Sequence, residues 1–310
     1  MVESPPMLPI SRRELGTAVA AAAGLRADVP KTGTRFSKGI ATTIFPASMP
    51  LSERFLAAKN AGFDGVEIPV GGEITMESTP DHVRRIGEAA HRAGVSVVSL
   101  WVSQPLSTHP LNSPDPAVRS AGVDAIARCL EFARLLNCGA ILLVPARLGN
   151  GPKLQVGYQT TWDRVTVELK KLIPVAEQKK VIITPENVWN KFLVSPLDMR
   201  AFVDQFKSPW LQVHFDIGNV MQFGYPQDWI LTLGQRIKRV HAKDYKLSTR
   251  AEQGHFCGLL EGDVDWKEVM AALTKIGYQG FISPEVDYDA NIPDQVRKVS
   301  QALDKILAMA

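Results

Sequence analysis

The sequence contains little cysteine and histidine, and it has no long apolar run. Its three cysteines, Cys129, Cys138 and Cys257, form no CxxC pair, so the pattern indicates neither a zinc knuckle nor a disulfide framework. No stretch approaches the ~20 apolar residues that a membrane-spanning helix requires. The formal net charge of +3 is small for 310 residues, and no cluster of Lys and Arg lies among aromatic side chains. We therefore expect no nucleic-acid partner and, for the mature protein, no membrane.

Residues 1–30 differ in character from the rest of the chain. The stretch SRREL at residues 11–15 precedes a short Ala-rich run, a pattern that resembles a twin-arginine export signal. An ordinary Ala-rich helix is the alternative. The signal is favoured because residues 29–35 contain Pro, Lys and Gly, which are typical of a linker. This interpretation predicts a periplasmic or extracytoplasmic protein, whereas the alternative predicts a cytoplasmic one.

From residue 36 onward, short apolar runs alternate with amphipathic segments. The apolar runs predict strands at 39–45, 65–70, 95–102, 139–145, 181–185, 211–216, 238–243 and 281–286. The amphipathic segments predict helices at 51–61, 80–93, 117–136, 158–179, 196–207, 226–235, 265–276 and 292–308. This alternation favours an α/β fold, a (β/α)8 TIM barrel that occupies residues 36–310 as a single domain. An open doubly wound sheet is the alternative, although no Gly-rich phosphate fingerprint follows the first strand.

Four late strands of the predicted barrel each end in a side chain that can bind a metal ion. These side chains are Glu186, Asp216, His241 and Glu285, at spacings of 30, 25 and 44 residues. The carboxyl ends of barrel strands meet at one rim, so the four groups are expected to lie together. A single acid at a strand end is more often a helix cap, but four such groups would repel one another without a cation. The set favours one divalent ion, with Mn2+ first and Mg2+, Co2+ or Zn2+ as alternatives.

Neighbouring side chains on the same strands form a second group of candidates, because residues two apart share a face. Lys243 points into the predicted barrel and therefore needs a site carboxylate or a substrate oxygen as partner. A simple ion pair with Asp244 or Glu285 explains this lysine equally well. His214 shares a face with Asp216 and is expected one layer deeper, as a donor to a ligand carboxylate.

Four further residues are candidates for contact with a substrate. Asn219 opens the loop after the sixth strand and could equally cap a turn. Glu67, on the second strand, is expected across the ring from the metal ligands, where it could bind a hydroxyl; an ion pair with an arginine is the alternative. Trp189 and Trp101 are candidate apolar lids against a sugar ring, although both could belong to the core.

Five stretches in a fixed order resemble the xylose isomerase-like family of sugar and sugar-phosphate isomerases and epimerases. They are PENVWN, HFDIGNV, VHAKDYK, LLEGDVDW and SPEVD. Within that family they are especially similar to ketose and ketose-phosphate 3-epimerases and to hexulose-phosphate isomerase-like proteins. The resemblance implies a (β/α)8 barrel with one divalent ion held by Glu186, Asp216, His241 and Glu285. It also implies an enediolate mechanism on a ketose or keto-sugar, in which Glu186 removes a proton beside the carbonyl and Glu285 returns one on the other face.

Two positions depart from the pattern of this family. Asn219 and Leu247 stand where free-ketose 3-epimerases commonly carry His and Arg, so the contacts at that end of the sugar are open. The loop after the seventh strand carries Lys246, Arg250 and His255. These side chains could bind a phosphate, and the same loop could instead contact a glycoside aglycone.

Three other functions compete with the isomerase or epimerase interpretation. A metal-dependent lyase or dehydratase acting on a keto-sugar, a 3-keto-glycoside or a keto-inositol would use the same metal and the same proton abstraction. A barrel endonuclease for abasic DNA is disfavoured because it needs three zinc ions, and this chain has only six histidines. A non-catalytic sugar-binding barrel is disfavoured because all four ligands are present. The expected partner is a small carbohydrate, and a homo-oligomer is compatible with the sequence.

Overall fold

The computed structural model describes residues 36–248 and 254–310. Eight parallel strands form its centre, in the spatial order β5-β4-β3-β2-β1-β8-β7-β6. The strands are β1 (Phe36–Ala41), β2 (Gly65–Pro69), β3 (Ser96–Trp101), β4 (Ala140–Leu143), β5 (Ile182–Pro185), β6 (Val213–Asp216), β7 (Ile237–Ala242) and β8 (Gly280–Pro284). Two isolated bridges, Ile183 to Leu211 and Glu186 to His214, join the ends of this order. The sheet is therefore a nearly closed barrel, which confirms the predicted TIM barrel.

Helices alternate with the strands and cover the outside of the barrel. They are α1 (Leu51–Asn60), α2 (Pro80–Ala93), α3 (Pro116–Leu135), α4 (Tyr158–Lys179), α5 (Pro196–Asp204), α6 (Pro226–Leu233), α7 (Trp266–Lys275) and α8 (Gln295–Leu307). Local sequence explains several of their ends. The side chains of Thr79, Asp115 and Ser195 each accept a backbone N–H in the first turn, and a proline follows each cap. Gly94 ends α2 in the left-handed conformation, with φ of 78°.

The predicted strand and helix positions agree with the structure to within a few residues at most ends. The largest difference is in the first strand, predicted at 39–45: β1 ends at Ala41, before the 3-10 turn Thr42–Ile44, and it begins at Phe36 and not at residue 39. The reason is tertiary: Phe36, Ser37 and Lys38 pair with Gly280, Phe281 and Ile282 of β8, so the strand extends as far as its partner does. The hydrophobic pattern of β1 alone carries no information about where its partner strand β8 begins.

Short elements occupy the loops at the carboxyl ends of the strands. They include the helix Ser103–Thr108, the 3-10 turns Thr42–Ile44 and Gly218–Val220, and the hairpin Gly149–Asn150 with Lys153–Leu154. A further 3-10 turn, Gly234–Arg236, lies between α6 and the amino end of β7. After β7, Asp244–Lys246 pairs antiparallel with His255–Cys257, and we call this element the β7 hairpin. Residues 249–253 of its turn lie outside the described part of the chain. The loops after the third and seventh strands thus carry elements of their own.

Asp244 anchors the loop that follows the β7 hairpin. Its side chain is 1% exposed, and its carboxylate accepts hydrogen bonds from the backbone N–H groups of Leu260 (2.8 Å) and Val264 (3.3 Å) and from Trp266 Nε1 (2.9 Å). A Cβ on Gly262 would overlap the Oδ1 atom of Asp244, so the close approach of the two segments requires glycine there. The role of this buried acid is therefore structural: it holds the loop that follows the β7 hairpin.

Within the described residues, no helix is both long and apolar enough to cross a membrane. The predicted export signal at residues 1–30 lies outside the described part of the chain.

Candidate metal centre at the carboxyl rim of the barrel

The four residues predicted as metal ligands meet at the carboxyl end of the barrel. One ligand atom from each of Glu186, Asp216, His241 and Glu285 lies within 4.8 Å of the others. His241 Nδ1 is 2.9 Å from Glu186 Oε1, 2.9 Å from Glu285 Oε2 and 3.7 Å from Asp216 Oδ2. The side chains of Asp216 and His241 are buried, whereas that of Glu285 is 25% exposed. The site is therefore open to solvent on the side of Glu285.

The charges in this cluster shift the pKa values in opposite directions. Burial raises the pKa of Glu186 to about 7, against the hydrogen bond from His241. Burial alone would also raise the pKa of Glu285, but the charges of His241 and Lys243 outweigh it and lower this pKa to about 2. Burial would lower the pKa of His241, yet the surrounding carboxylates, with Glu67 first, raise it well above the usual value. Without a metal ion, the positive charges of His241 and Lys243 thus offset the negative charges of the carboxylates in this cluster.

The donor set fits a divalent ion. Asp216 Oδ2 is buried and makes no hydrogen bond within the described residues. Ligand atoms that lie within 4.8 Å of one another can all contact one ion at the usual distances of ~2.0–2.6 Å. Three carboxylate oxygens with one imidazole nitrogen suit Mn2+, Mg2+ or Co2+ better than they suit a structural zinc site, which prefers Cys and His.

Lys243 pairs with carboxylates of the cluster. Its Nζ lies 2.7 Å from Glu285 Oε2 and 3.3 Å from Asp216 Oδ2. Burial would lower the pKa of this ammonium group, but these carboxylates raise it above the usual value, so the group stays charged. Of the two ion-pair partners foreseen, the structure shows Glu285, because the Asp244 carboxylate is engaged by the loop described above.

Glu67 touches the opposite side of the His241 ring. Its carboxylate is fully buried, with Oε2 3.1 Å from His241 Nε2 and 2.7 Å from Trp101 Nε1. Burial would raise the pKa of Glu67, but His241 outweighs it and holds this pKa far below the usual range. The alternative pairing with an arginine is wrong, because Oε2 contacts imidazole and indole groups; the contact with a hydroxyl stays a prediction, since Oε1 has no hydrogen-bond partner within the described residues. Trp101, only 9% exposed, holds Glu67 and lies edge-on to His241 at 5.3 Å between ring centroids.

His214 lies beneath the cluster, and its predicted hydrogen bond to a ligand carboxylate is not found. The side chain is fully buried, its ring centroid is 4.1 Å from that of His241, and neither ring nitrogen has a hydrogen-bond partner within the described residues. Burial, followed by the charge of His241, lowers the pKa of His214 well below its usual value. The ring is therefore neutral, and it packs against the imidazole of His241 instead of donating to an acid.

Two asparagines fix Asp216, and one of them was not predicted. Asn187 Nδ2 donates to the backbone oxygen of Asp216 (2.8 Å), and the Asp216 N–H donates to Asn187 Oδ1 (2.9 Å). The backbone N–H of Asn219 donates to Asp216 Oδ1 (2.7 Å), and its side chain donates to the Asn187 backbone oxygen (3.0 Å). Asn219 is 6% exposed, so the turn-cap interpretation describes it better than contact with a substrate. The position of Asn187 directly after Glu186 was the available signal.

Trp189 lies in an aromatic wall beside the metal cluster. Its indole N–H donates to the backbone oxygen of Asn219 at 2.9 Å. Its rings stack on Phe256 of the β7 hairpin, with 5.2 Å between centroids and 26° between planes, and meet Tyr245 edge-on at 5.7 Å. Lys243 Nζ lies 5.4 Å from the centre of the Phe256 ring. The sequence indicated Trp189 as a lid or core residue, and Phe256 was not predicted.

The family model of xylose isomerase-like TIM barrels matches residues 55–306. The chain belongs to this family. The family assignment made from the five sequence stretches is thereby confirmed, and the xylose isomerase-like barrel accounts for almost all of the described residues.

Individual relatives of this xylose isomerase-like chain include epimerases. It is 28% identical over 286 residues to L-ribulose-5-phosphate 3-epimerase UlaE of Escherichia coli O1:K1 / APEC, which covers 87% of this chain and 93% of the relative. Its fold is similar to D-psicose 3-epimerase of Clostridium cellulolyticum H10 bound to D-tagatose, with a TM-score of 0.75, 17% identity, and coverage of 88% and 99%. It is also similar to 3-keto-D-glucoside 4-epimerase YcjR of E. coli, with a TM-score of 0.69, 16% identity, and coverage of 89% and 100%.

Proposed function

We propose that this protein is a divalent-metal-dependent epimerase or isomerase that acts on a ketose or keto-sugar. The observation that carries the proposal is the convergence of Glu186, Asp216, His241 and Glu285 to within 4.8 Å at the catalytic rim of the barrel. The names of the relatives support the reaction class, because both UlaE and the D-psicose enzyme are 3-epimerases. A manganese ion is the first candidate for this donor set.

In this proposal the two glutamates exchange protons with the carbon beside the carbonyl. A bound divalent ion would polarise the carbonyl oxygen and stabilise the negative charge that develops there. Glu186 would accept the proton; because a bound ion would lower its pKa, its strength as a base would come from its burial and its placement beside the substrate carbon. Glu285 is the more exposed of the two, at 25%, and would take up a proton from solvent and return it to the other face of the substrate carbon. Lys243, 2.7 Å from Glu285, is placed to donate to a substrate oxygen at the same rim.

The proposal is tested by deuterium incorporation in heavy water on purified protein with Mn2+, read by NMR. The compounds are free ketoses, ketose phosphates and 3-keto-glycosides. We expect deuterium beside the carbonyl of at least one compound, and we expect a chelator to abolish it. Loss of the substituent from the sugar, with no epimer formed, would instead favour the lyase. If Mn2+ binds and no compound exchanges, the proposed function is wrong.

Glu67 has a different role in this proposal from the one first predicted. Its contact with His241 Nε2 orients the ring so that Nδ1 faces the three ligand carboxylates. A carboxylate in this position fixes the tautomer of a metal-binding histidine and strengthens the ligand. Glu67 is therefore a positioning residue.

We predict that Glu67→Gln weakens Mn2+ binding by about 10- to 100-fold, because the neutral amide no longer supports the His241 ligand. Isothermal titration calorimetry measures this effect, and a thermal unfolding scan checks that the variant is folded. Trp101→Phe is the matched control: it removes the donor to Glu67 but keeps the carboxylate charge, so its effect should be smaller. Equal affinity in Glu67→Gln and the natural protein would contradict the role.

We predict that the affinity for Mn2+ rises with pH. Glu186 has a pKa of about 7 and His241 has a raised pKa, so both groups hold protons at slightly acidic pH. A metal ion must displace these protons, so its apparent affinity should increase by about tenfold per pH unit for each proton released, and by up to about 100-fold per pH unit between pH 6 and 7, where both leave. Calorimetry in buffers with different ionisation enthalpies counts the released protons. Binding without proton release and without pH dependence would be inconsistent with this cluster.

We further propose that residues 1–30 direct export through the twin-arginine route and that residues 36–310 form the exported barrel. The support is the SRREL stretch followed by the Ala-rich run. Fractionation of cells that produce the full chain and an Arg12→Lys, Arg13→Lys variant tests the proposal. A periplasmic protein that becomes cytoplasmic in the variant is expected. Equal cytoplasmic retention of both would contradict export.

A further inference from the structure

A cavity of about 720 Å3 adjoins the metal cluster. Its wall begins at Glu285 and Lys243, passes the β7 hairpin at Phe256, and reaches Lys298 and Ala302 on α8. Volumes of about 300–1,000 Å3 are typical of pockets for drug-sized ligands. The cavity therefore has room for more than one five-carbon sugar, and it extends from the reacting groups toward the surface.

The part of the cavity away from the cluster is acidic. Its lining carries the carboxylates of Glu261, Asp287 and Asp289, against a single lysine, Lys298, within the described residues. Glu261 and Asp287 lie in loops that form this wall, and both residues are exposed to solvent. A phosphate dianion in this part of the cavity would be repelled by these groups, because like charges at short range are unfavourable.

Two of the three basic residues that were predicted as phosphate ligands, Lys246 and His255, are not part of the cavity lining. Lys246 is paired with Asp263 at 2.6 Å and is not part of the cavity lining. His255 is exposed on the β7 hairpin and is also absent from the lining. Arg250 lies outside the described residues. The lining formed by the described residues thus resembles a site for an uncharged polar group more than a phosphate site.

Phe256 gives this cavity a surface suited to a sugar ring. Its side chain is 43% exposed although it stacks on Trp189, so one part of the ring is free to contact a ligand. An exposed aromatic face binds the apolar face of a ring, and carboxylates accept hydrogen bonds from hydroxyl groups. An aromatic ring and carboxylates in one cavity lining therefore complement a neutral polyhydroxyl ring.

We infer that the cavity binds an uncharged substituent, a second sugar ring, on an unphosphorylated keto-sugar. The inference rests on the proposed function, since it places the reacting carbonyl at the Glu186–Glu285 cluster. It differs from what the name of UlaE says of that relative, whose substrate carries a phosphate.

Two matched pairs of compounds test the inference on the Mn2+-loaded protein. L-ribulose against L-ribulose 5-phosphate isolates the phosphate, and methyl 3-keto-glucoside against a 3-keto-disaccharide isolates the second ring. We expect the second ring to increase kcat/KM for deuterium exchange by about tenfold and the phosphate to decrease it by about tenfold. Calorimetric binding of the same four compounds reports the preference independently of turnover. Exchange that is faster with the phosphate, or indifferent to the second ring, would overturn the inference and leave the proposed function standing.

Two variants in the cavity lining and one control outside it test whether the cavity is the binding site. Phe256→Ala should remove most of the advantage of the disaccharide over the methyl glycoside. Phe223→Ala is the control, because this phenyl ring is similarly exposed, at 49%, and is not part of the cavity lining. Asp287→Lys should improve use of the phosphate relative to the free sugar. An unchanged disaccharide advantage in Phe256→Ala would contradict the cavity as the binding site.

Discussion

Replacing Glu186 by Gln is expected to lower the rate of deuterium exchange at the substrate carbon by about 10^2- to 10^4-fold. This is the range that a well-placed general base contributes, and the amide cannot accept a proton. Gln has the same size as Glu, so the substitution leaves no empty space beside His241. The measurement is single-turnover exchange followed by NMR at saturating Mn2+, with the metal content of each variant determined in parallel.

Two control variants distinguish the base from a ligand. Asp216→Asn should reduce metal binding most, because Asp216 is a fully buried proposed ligand with no role as acid or base, and the amide removes its negative charge. Glu285→Gln should stop epimerisation while Glu186 still exchanges the proton of one epimer, since the two acids work on opposite faces. Glu186 is not the base if the Glu186→Gln variant exchanges the proton of each epimer at the same rate as the Glu285→Gln variant.

Replacing Asp244 by Ala is expected to lower the free energy of unfolding by about 3–5 kcal/mol. The change leaves the N–H groups of Leu260, Val264 and Trp266 without their buried acceptor, and each unsatisfied buried donor costs about 1–3 kcal/mol before water compensates. Urea unfolding followed by circular dichroism measures the loss, and the slope of the transition checks that the unfolded state is unchanged.

Asp263→Ala is the matched control for this prediction, because it lies in the same loop. Its carboxylate pairs with Lys246 and accepts from the Leu247 N–H, but solvent reaches these groups, so the loss of stability should be much smaller. Asp244→Asn should fall between the two, since one amide oxygen can still accept. Equal losses for Asp244→Ala and Asp263→Ala would show that the buried hydrogen bonds do not anchor the loop.

The ends of strands were the part of the site that the sequence predicted well. Glu186, Asp216, His241 and Glu285 each follow a short apolar run, and parallel strands of a barrel present their carboxyl ends at one rim. The order of the elements therefore placed these side chains together before any contact was known. The five sequence stretches then added the family, which the match over residues 55–306 confirmed.

Residues that support the ligands were predicted less well, since their partners come from distant strands. Glu67 was expected to contact a sugar or an arginine, but its partner is His241, 174 residues later. His214 was expected to donate to a carboxylate, but it packs on the imidazole of His241. Phe256 meets Trp189 only because the β7 hairpin folds over the rim. Periodicity gives the face on which a residue lies, not its neighbour across a barrel.

The sequence by itself determined the alternation of strands and helices, and with it the barrel and the rim where the four ligands meet. These features follow from local patterns: apolar runs, capping residues, and the fixed direction of parallel strands. The tertiary structure decided which acid supports His241, which asparagines hold Asp216, and how acidic the adjoining cavity is. Those contacts depend on the closure of the barrel and on loop paths, which bring together side chains that no local pattern relates.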